Sequence, residues 1–394
     1  MTWWHGAESL NQGQLLIVDK AISDIEHTPE GATVWVQGCA GTGKTLVLAH
    51  IALRLAAMQA NRSIAFLTYT HALKEMISVT TTNGSVPVYV STYKSYLHQT
   101  TKNRYEIILI DEIQDISKED IFQLKECCTH LIVAGDCEQR IYEQGSNEPE
   151  IDQIASFDKY RLVMLFRVTK SIVELAKKLL PSTMLISGEV PEKQMDVDIA
   201  VRTFDSPQKE ARWVYDEAIE FSRPGYPSAI LFPTHAEIYE FCYLLALDLN
   251  ILGNGPRVEL ADSSTGYKFA NYKQLNAHFA HHNIPVGYLG NGIGELLQSD
   301  SRPFVYLMTY HSAKGLDFSN VFLPRLVSNI KIGGFSNNDF ERALFFVAVT
   351  RARERLIVTY TGDEPYSLVR LIPNFEKRVE HHNSDIDDDD EGVF

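Results

Sequence analysis

The sequence predicts an α/β fold of two domains, each built on a mainly parallel sheet. Apolar, β-rich runs alternate with helix-patterned segments along the 394 residues, and a chain of this length can bury two separate cores. The runs are apolar throughout rather than at every second position, which is typical of strands covered on both faces. A glycine-rich loop and a later acidic cluster each follow one of these runs.

The alternation also predicts the order of the elements. In the first half we expect a helix over 44–57 and strands over 33–37, 63–70, 86–92, 106–111 and 131–136. In the second half we expect helices over 169–180, 207–221, 236–249 and 340–352, and strands over 199–204, 228–233, 305–311, 321–323 and 356–360. The predicted domains are therefore 1–160 and 161–380, followed by a disordered acidic tail over 381–394.

The glycine-rich segment Gly38-Cys39-Ala40-Gly41-Thr42-Gly43-Lys44-Thr45 fits the phosphate-loop pattern G-x-x-x-x-G-K-S/T. Glycines in such a loop let backbone N–H groups turn towards phosphate oxygens, and a predicted strand and helix flank it as required. Lys44 is expected to reach the β- and γ-phosphates, and Thr45 to hold Mg²⁺. The nucleotide-binding candidates in this loop are Gly38, Gly41, Thr42, Gly43, Lys44 and Thr45.

The acidic cluster Asp111-Glu112-Ile113-Gln114-Asp115 follows the apolar run 107–110. Phosphoryl transfer assisted by Mg²⁺ needs a carboxylate near the metal and a base for the attacking water. We assign Asp111 to the metal and Glu112 to the water. The alternative is an acidic turn on the surface. Paired with the phosphate loop, the cluster predicts nucleotide hydrolysis.

Composition limits the other possibilities. With 45% hydrophobic and 22% charged residues and no long apolar run, the chain is typical of a soluble protein without a membrane segment. The N-terminus lacks the pattern of a secretory signal and the five cysteines have no metal-site spacing, so we expect a cytoplasmic protein with free thiols. The net charge of −15 argues against a surface that binds duplex DNA everywhere, although a local groove remains possible.

The motifs of the first half resemble those of superfamily 1 helicases of the UvrD/Rep branch, in order along the chain. Leu10-Asn11-Gln12-Gly13-Gln14 matches L-N-x-x-Q, which implies that the Gln14 amide recognises adenine. The segments 68–76 and 91–95 are similar to T-F-T-N-K-A-A-x-E-M, with one residue fewer, and to G-T-F-H-S. They imply that Tyr69 stacks on bases and Thr92 contacts a phosphate of single-stranded DNA. For Tyr69 the alternative is core filling.

The remaining motifs continue the resemblance. The segment 134–142 is similar to V-G-D-D-D-Q-S-I-Y, which implies that Gln139 senses the γ-phosphate and that Tyr142 lies by the DNA groove. The segment 165–169 resembles N-Y-R-S-T, with Phe166 stacking on adenine and Arg167 reaching the γ-phosphate. The segment 309–318 is close to T-x-H-x-A-K-G-L-E-F, which implies that His311 contacts nucleic acid and that Asp317 lies near the ribose.

The last motif, 346–354, matches Y-V-A-x-T-R-A-R-E and implies that Arg351 is an arginine finger. Without the other motifs, this run would also fit a solvated helix face. The chain departs from the family pattern elsewhere. It has Glu143-Gln144-Gly145-Ser146 where the family has R-W-R-G, and so lacks the stacking tryptophan. Little room exists for the first accessory domain between 95 and 106, and only a reduced second one fits between 236 and 305.

The resemblance implies an ATP- and Mg²⁺-dependent translocase or helicase on single-stranded DNA, with 3′→5′ travel. The alternative is an ATPase subunit that acts as a switch or motor for a protein partner, such as a nuclease, without processive unwinding. The acidic tail is either a solvating segment or, by its resemblance to the tips of bacterial single-stranded-DNA-binding proteins, a segment that recruits a partner or competes with nucleic acid.

Overall fold

The structure is a computed structural model. It describes residues 10–59, 61–82, 88–100, 103–166, 168–181, 190, 195–252, 261–262, 268–269, 271–296, 298–333 and 338–381. Arg167 and residues 382–394 of the predicted acidic tail lie outside the described residues, whereas His381, the first residue of that predicted tail, is the last residue of a strand.

Within the described residues, six strands form the sheet of the first half: β1 Thr33–Gly38, β2 Ile64–Thr68, β3 Tyr89–Thr92, β4 Tyr105–Ile110, β5 Cys128–Gly135 and β6 Asp158–Leu162. They lie in the order β3-β2-β4-β5-β1-β6. Their described pairs are parallel, as the apolar runs predict. Parallel strands place their carboxyl ends at one edge, so the loops that follow them meet there.

Helices cover both faces of this sheet. On one face of the sheet, Val18 and Leu48 pack in an apolar cluster with Leu109. On the opposite face, Tyr96 and Ile121 pack in a second cluster with Ile108. The second strand in the chain is buried along its whole length, which explains its unbroken apolar run. The helices are α1 Gln12–His27, α2 Lys44–Met58, α3 His71–Thr82, α4 Tyr93–Leu97, α5 Lys118–Glu126 and α6 Glu148–Asp152.

Seven strands form the sheet of the second half in the described part of the chain: β7 Asp198–Phe204, β8 Ser228–Phe232, β11 Val286–Tyr288, β12 Val305–Thr309, β13 Phe318–Leu323, β14 Ala352–Thr361 and β15 Val379–His381. A separate pair is β9 Ala261–Asp262 with β10 Lys268–Phe269. The seven strands lie in the order β11-β12-β8-β13-β14-β7-β15, and their described pairs are also parallel. The helices are α7 Lys170–Leu179, α8 Pro207–Phe221, α9 His235–Asp248, α10 Tyr272–His281, α11 Gln298–Ser301, α12 Asn338–Val349 and α13 Phe375–Arg378.

The two halves share apolar contacts. The largest core cluster of the second sheet also contains Cys39, Ala40, Ala72 and Ile141 from the first. The loops at the carboxyl edge of the first sheet therefore pack against the second domain. This contact brings the phosphate loop and the acidic cluster to the boundary between the domains.

The observed elements follow the predicted order, with one clear correction. The predicted helix over 340–352 is wrong at its end: α12 stops at Val349, and Ala352 already begins β14. β14 pairs with both β13 and β7, and these contacts override the helical pattern. The first sheet extends through Leu162, so the proposed domain boundary near 160 falls inside β6.

The five cysteines are free thiols, and all but Cys137 are buried. Within the described residues, no helix is long and apolar enough to cross a membrane.

Candidate nucleotide site between the two domains

The phosphate loop lies between the end of β1 and the start of α2. Gly41 and Gly43 have φ angles of 80° and 85°, in the left-handed region that glycine enters without a steric penalty. The Nζ of Lys44 donates to the carbonyl oxygens of Gly38 at 2.7 Å and Cys39 at 3.1 Å. The ammonium is therefore held against the loop, next to the amino end of α2, where free N–H groups favour a phosphate.

Gln14 and Phe166 both contact this loop. Gln14 completes a capping box with Asn11 at the start of α1, and its Nε2 donates to the carbonyl of Thr42 at 3.0 Å. The backbone N–H of Phe166 donates to the carbonyl of Gly41 at 2.9 Å, and its side chain is 45% exposed. The structure thus brings together the two residues predicted to hold adenine. Their recognition of the base stays a prediction.

Thr45 and Asp111 form the predicted metal pair. The hydroxyl of Thr45 donates to Oδ2 of Asp111 at 2.5 Å, and Asp111 is fully buried after the end of β4. Burial raises the pKa of Asp111, and the charge of Glu112 raises it further. A hydroxyl and one carboxylate fit Mg²⁺, which takes its other oxygens from phosphates and water. Within the described residues, no cluster of three His, Cys, Asp or Glu side chains could hold a metal by itself.

Glu112 follows in an unusual backbone conformation. Its φ of 56° is left-handed, which is uncommon for a residue with a long side chain and often occurs at functional sites. Its Oε2 accepts from Nε2 of Gln114 at 2.6 Å and lies 3.6 Å from Nζ of Lys314. Burial raises the pKa of Glu112, but Lys314, then Lys44 and the hydrogen bond from Gln114, lower it below its usual range. These neighbours therefore favour the ionised form of the carboxylate.

The acidic cluster is not a surface turn, because Asp111, Glu112 and Asp115 are all buried. Gln114 connects it to the next strand: its Oε1 accepts from the backbone N–H of Asp136 at 3.1 Å. Asp136 in turn accepts from Nε2 of Gln139 at 2.6 Å. The predicted base and the predicted γ-phosphate sensor are thereby joined through Gln114 and Asp136.

The second domain carries Arg351 in a buried position just after the end of α12. The side chain is 2% exposed, which excludes the alternative of a solvated helix face. Its Nε donates to the carbonyl of Val347, and its two terminal nitrogens donate to the carbonyl of Leu316 and to Oγ1 of Thr350, each at 2.9 Å. Its charge is the smallest of the contributions that lower the pKa of Glu112, after those of Lys314, Lys44 and Gln114.

Asp317, the residue predicted near the ribose, has a partner of its own. Its Oδ2 forms an ion pair with Nε of Arg353, from the start of β14. Arg167, the other predicted contact to the γ-phosphate, lies outside the described residues. The roles of both residues stay predictions.

No sequence pattern predicted a role for Lys314, Asp115 or Gln114. Nζ of Lys314 lies 2.5 Å from Oδ2 of Asp115 and donates to the carbonyl of Gln139 at 2.7 Å. Two of these residues nevertheless lie in segments that the sequence patterns identified: Lys314 in the matched segment 309–318, and Asp115 at the end of the acidic cluster. Only the fold shows that these residues meet across the domain boundary.

Three of the four predicted nucleic-acid residues form one aromatic group. The rings of Tyr69 and Tyr142 are stacked with centroids 4.5 Å apart, and Tyr142 lies 5.3 Å from the ring of His311. Thr92 is separate: its hydroxyl caps α4 by accepting from the backbone N–H of Ser95 at 3.2 Å. The nucleic-acid roles of all four residues stay predictions.

Two protein-family models match parts of this chain. The model of the UvrD-like helicase C-terminal domain family matches residues 287–363, and that of an AAA domain family matches residues 11–145. The two matches lie one in each domain, on either side of the cleft. The chain is a UvrD/Rep-like member of superfamily 1. Its two parallel sheets are thus RecA-like domains.

Two curated helicases of this UvrD/Rep-like group are similar over short stretches. ATP-dependent DNA helicase Rep of Buchnera aphidicola subsp. Schizaphis graminum is 47% identical over 60 residues, which are 14% of this chain and 9% of that protein. ATP-dependent DNA helicase PcrA of Staphylococcus aureus is 31% identical over 109 residues, 23% of this chain and 15% of that protein. The matches therefore cover less than a fifth of either relative's length.

Among solved structures, the UvrD/Rep-like chain is similar to Arterivirus nonstructural protein 10, a helicase. The sequences are 14% identical, the TM-score is 0.42, and the match covers 90% of this chain and 64% of that one. A complex of the same viral protein with DNA gives 15% identity and a TM-score of 0.42, over 90% of this chain and 65% of that one.

Proposed function

We propose that the chain is an ATP-dependent translocase or helicase on single-stranded DNA that hydrolyses ATP between its two RecA-like domains. One observation carries the proposal. The acidic cluster of the first domain, which holds the predicted metal ligand and base, meets basic side chains of the second domain, with Lys314 3.6 Å from Glu112. A hydrolytic site divided in this way depends on domain closure, and so couples hydrolysis to movement.

Each side chain then has a chemical role. Lys44 leaves the loop carbonyls and binds the β- and γ-phosphates, while Glu112 orients the attacking water and accepts its proton. Mg²⁺ held by Thr45 and Asp111 would neutralise charge on the phosphates. Gln139 senses the γ-phosphate. Arg351 exchanges its partners within the second domain for the phosphoryl oxygens as charge develops there.

The nucleic-acid side of the proposal rests on the aromatic group of Tyr69, Tyr142 and His311. Aromatic side chains hold single strands by stacking on bases regardless of sequence. The direction of travel, 3′→5′, comes from the family resemblance. For the group to bind a base, the ring stack of Tyr69 on Tyr142 has to open.

A second function is favoured by the segment that replaces R-W-R-G. Ser146 donates to the carbonyl of Ile116 at 2.7 Å, and Arg140 donates to the carbonyl of Gly145 at 2.8 Å. This segment folds back on its own domain and offers no aromatic platform. The alternative is therefore an ATPase that drives or switches a protein partner such as a nuclease, with little unwinding of its own.

The test measures ATP hydrolysis with and without single-stranded DNA. We expect wild type to hydrolyse ATP and single strands to stimulate it. Lys44→Ala and Glu112→Gln should each abolish turnover, and Glu112→Gln should still bind ATP because it keeps the shape of the side chain and loses only the base. Glu119→Gln, an exposed glutamate of the same region, is the matched control. Hydrolysis by Glu112→Gln at the rate of this control would remove Glu112 from its role, and hydrolysis without any response to DNA would favour the partner-driven alternative.

A further inference from the structure

We propose that Lys314 is a positioning residue, and that the Lys314–Asp115 bridge sets the hydrolytic cluster in place when the two domains close. The inference rests on the proposed function and deepens it. Lys314 belongs to the second domain, whereas each acceptor of its ammonium belongs to the first. The bridge therefore exists only while the domains are together.

The geometry is that of a fixed contact rather than a surface ion pair. Lys314 is 2% exposed, and Asp115 is fully buried. The ammonium lies 2.5 Å from Oδ2 of Asp115 and 2.7 Å from the carbonyl of Gln139, with Oε2 of Glu112 at 3.6 Å. One cation thus touches the main chain of the predicted phosphate sensor and faces the predicted base.

The backbone around Lys314 is also fixed. Its N–H donates to the carbonyl of His311 at 3.2 Å, which closes a turn directly after β12. Gly315 follows with a φ of 85° and lies against Leu73 of α3, in the first domain. A side chain carried by such a turn has a defined direction, as positioning requires.

Charge explains why the contact matters. Burial lowers the pKa of Lys314, but Asp115 and Glu112 raise it above its ordinary value. If the domains separate without another cation in its place, Asp115 and Glu112 lose the nearest positive charge that compensates their burial. Removing one partner of a buried ion pair is strongly unfavourable because the other charge remains in a medium of low polarity. The buried carboxylates of Asp115 and Glu112 therefore favour the closed arrangement, in which the positive charge of Lys314 compensates theirs.

The bridge is connected to the candidate nucleic-acid residues on both sides. Oδ1 of Asp115 accepts from the backbone N–H of Ile141 at 3.2 Å, next to Tyr142 in the chain. On the other side, His311 lies three residues before Lys314 and contacts Tyr142. A strand that opens the ring stack therefore acts on both ends of the bridge. This supplies a physical route by which DNA alters the position of Glu112.

The test compares Lys314→Met, Lys314→Arg, Asp115→Asn and the double variant Lys314→Met/Asp115→Asn. Lys273→Met, an exposed lysine on α10, is the control. We measure kcat and KM for ATP with saturating oligodeoxythymidylate, the Kd of a fluorescent ATP analogue, and folding by circular dichroism. We expect Lys314→Met and Asp115→Asn each to lower kcat about a hundredfold with little change in Kd, as for groups that act after binding.

Two further results define a positioning role. The double variant should be no slower than the slower single variant, because both changes remove one bridge. Lys314→Arg, which keeps the charge, should recover part of kcat. Loss of a merely structural lysine would instead destabilise the fold and raise the Kd together. Stimulation by DNA should also fall in Lys314→Met and stay unchanged in Lys273→Met.

The outcomes are separable from those of the proposed function. If wild type does not hydrolyse ATP, or Glu112→Gln hydrolyses as wild type does, the proposed function fails. If wild type hydrolyses ATP and Lys314→Met has the kcat of Lys273→Met, only the present inference is overturned. Should Lys314→Met not fold, Asp115→Asn decides, since it keeps the acceptor for Ile141 and loses the charge. A wild-type kcat in that variant equally overturns the bridge.

Discussion

Arg351 shows at the residue scale how a predicted catalytic group can also be structural. Three donors of its guanidinium are bound to Val347, Leu316 and Thr350 of its own domain. These bonds hold the end of α12 against the segment before β13. A guanidinium has five N–H donors, so a transition-state role requires the other donors, or donors released from these bonds, to reach the phosphoryl oxygens.

We predict that Arg351→Ala lowers single-turnover hydrolysis by orders of magnitude while nucleotide affinity changes little, because the group acts mainly in the transition state. The change should also lower the free energy of unfolding by about 1–3 kcal/mol, since buried carbonyls lose their donor. Chemical denaturation and fluorescent nucleotide binding measure these two effects. The control is Arg302→Ala, at an exposed arginine. Turnover of Arg351→Ala equal to that of the control would show that Arg351 does not reach the phosphates.

The sequence identified individual site residues better than their partners. Lys44, Thr45, Asp111 and Glu112 lie in short patterns whose spacing carries the chemistry, and the fold brings them together as expected. Lys314 could not be assigned in this way. Its partner Asp115 is 199 residues away in the chain, and no local pattern records a contact over that separation.

At the scale of elements, apolar strands were predictable and polar ones were not. β4 is buried at its last four positions and reads as an apolar run. β6, at the edge of the first sheet, has the sequence Asp-Lys-Tyr-Arg-Leu and is mostly exposed or half-buried. Within the part of the chain that the structure describes, β6 pairs with β1 alone. Little of it therefore needs to be apolar, and its strand character comes from the backbone hydrogen bonds of a neighbour.

The phosphate loop allows a matched test at this scale. Gly43 and Gly362 have φ angles of 85° and 77°, but an added Cβ meets Nε2 of Gln14 at 2.5 Å in the first and nothing within 4 Å in the second. We predict that Gly43→Ala and Gly362→Ala each lose about 1–2 kcal/mol of stability, the cost of a left-handed L-residue. Only Gly43→Ala should lose affinity for ADP in calorimetric titration, because the methyl group displaces Gln14 from the loop. Equal ADP affinity in the two variants would show that Gln14 and the loop are not coupled.

At the scale of the whole molecule, the domains are joined by more than a linker. Ala72 and Ile141 of the first domain pack in the core cluster of the second, and the Lys314–Asp115 bridge lies beside them. Opening would expose apolar carbon to water and would leave the buried Asp115 without its cation. Both terms favour the closed arrangement, so a ligand shifts the equilibrium towards opening only if it binds the open arrangement more tightly.

Two features of the chain limit duplex unwinding. Between α4, which ends at Leu97, and β4, which begins at Tyr105, there is space for a short connection only, and the segment 143–146 offers no stacking tryptophan. Separating DNA costs about 1.4 kcal/mol for each base-pair step. A motor with no segment at the duplex junction and with weak binding to the single strand therefore dissociates or reverses before it has separated a long duplex. We predict that the 394-residue chain translocates on single strands yet unwinds less as duplex length grows.

The measurement uses one 3′ single-stranded tail attached to duplexes of increasing length, with displacement of streptavidin from a biotinylated single strand as the independent readout of translocation. Glu112→Gln, which should lack both activities, is the control. Streptavidin displacement together with a steep fall in strand separation would support a motor that depends on a partner for unwinding. Unwinding of long duplexes by the pure monomer at the rate of the short ones would contradict the prediction, because the grip missing from 143–146 would then have to come from the stack of Tyr69 and Tyr142.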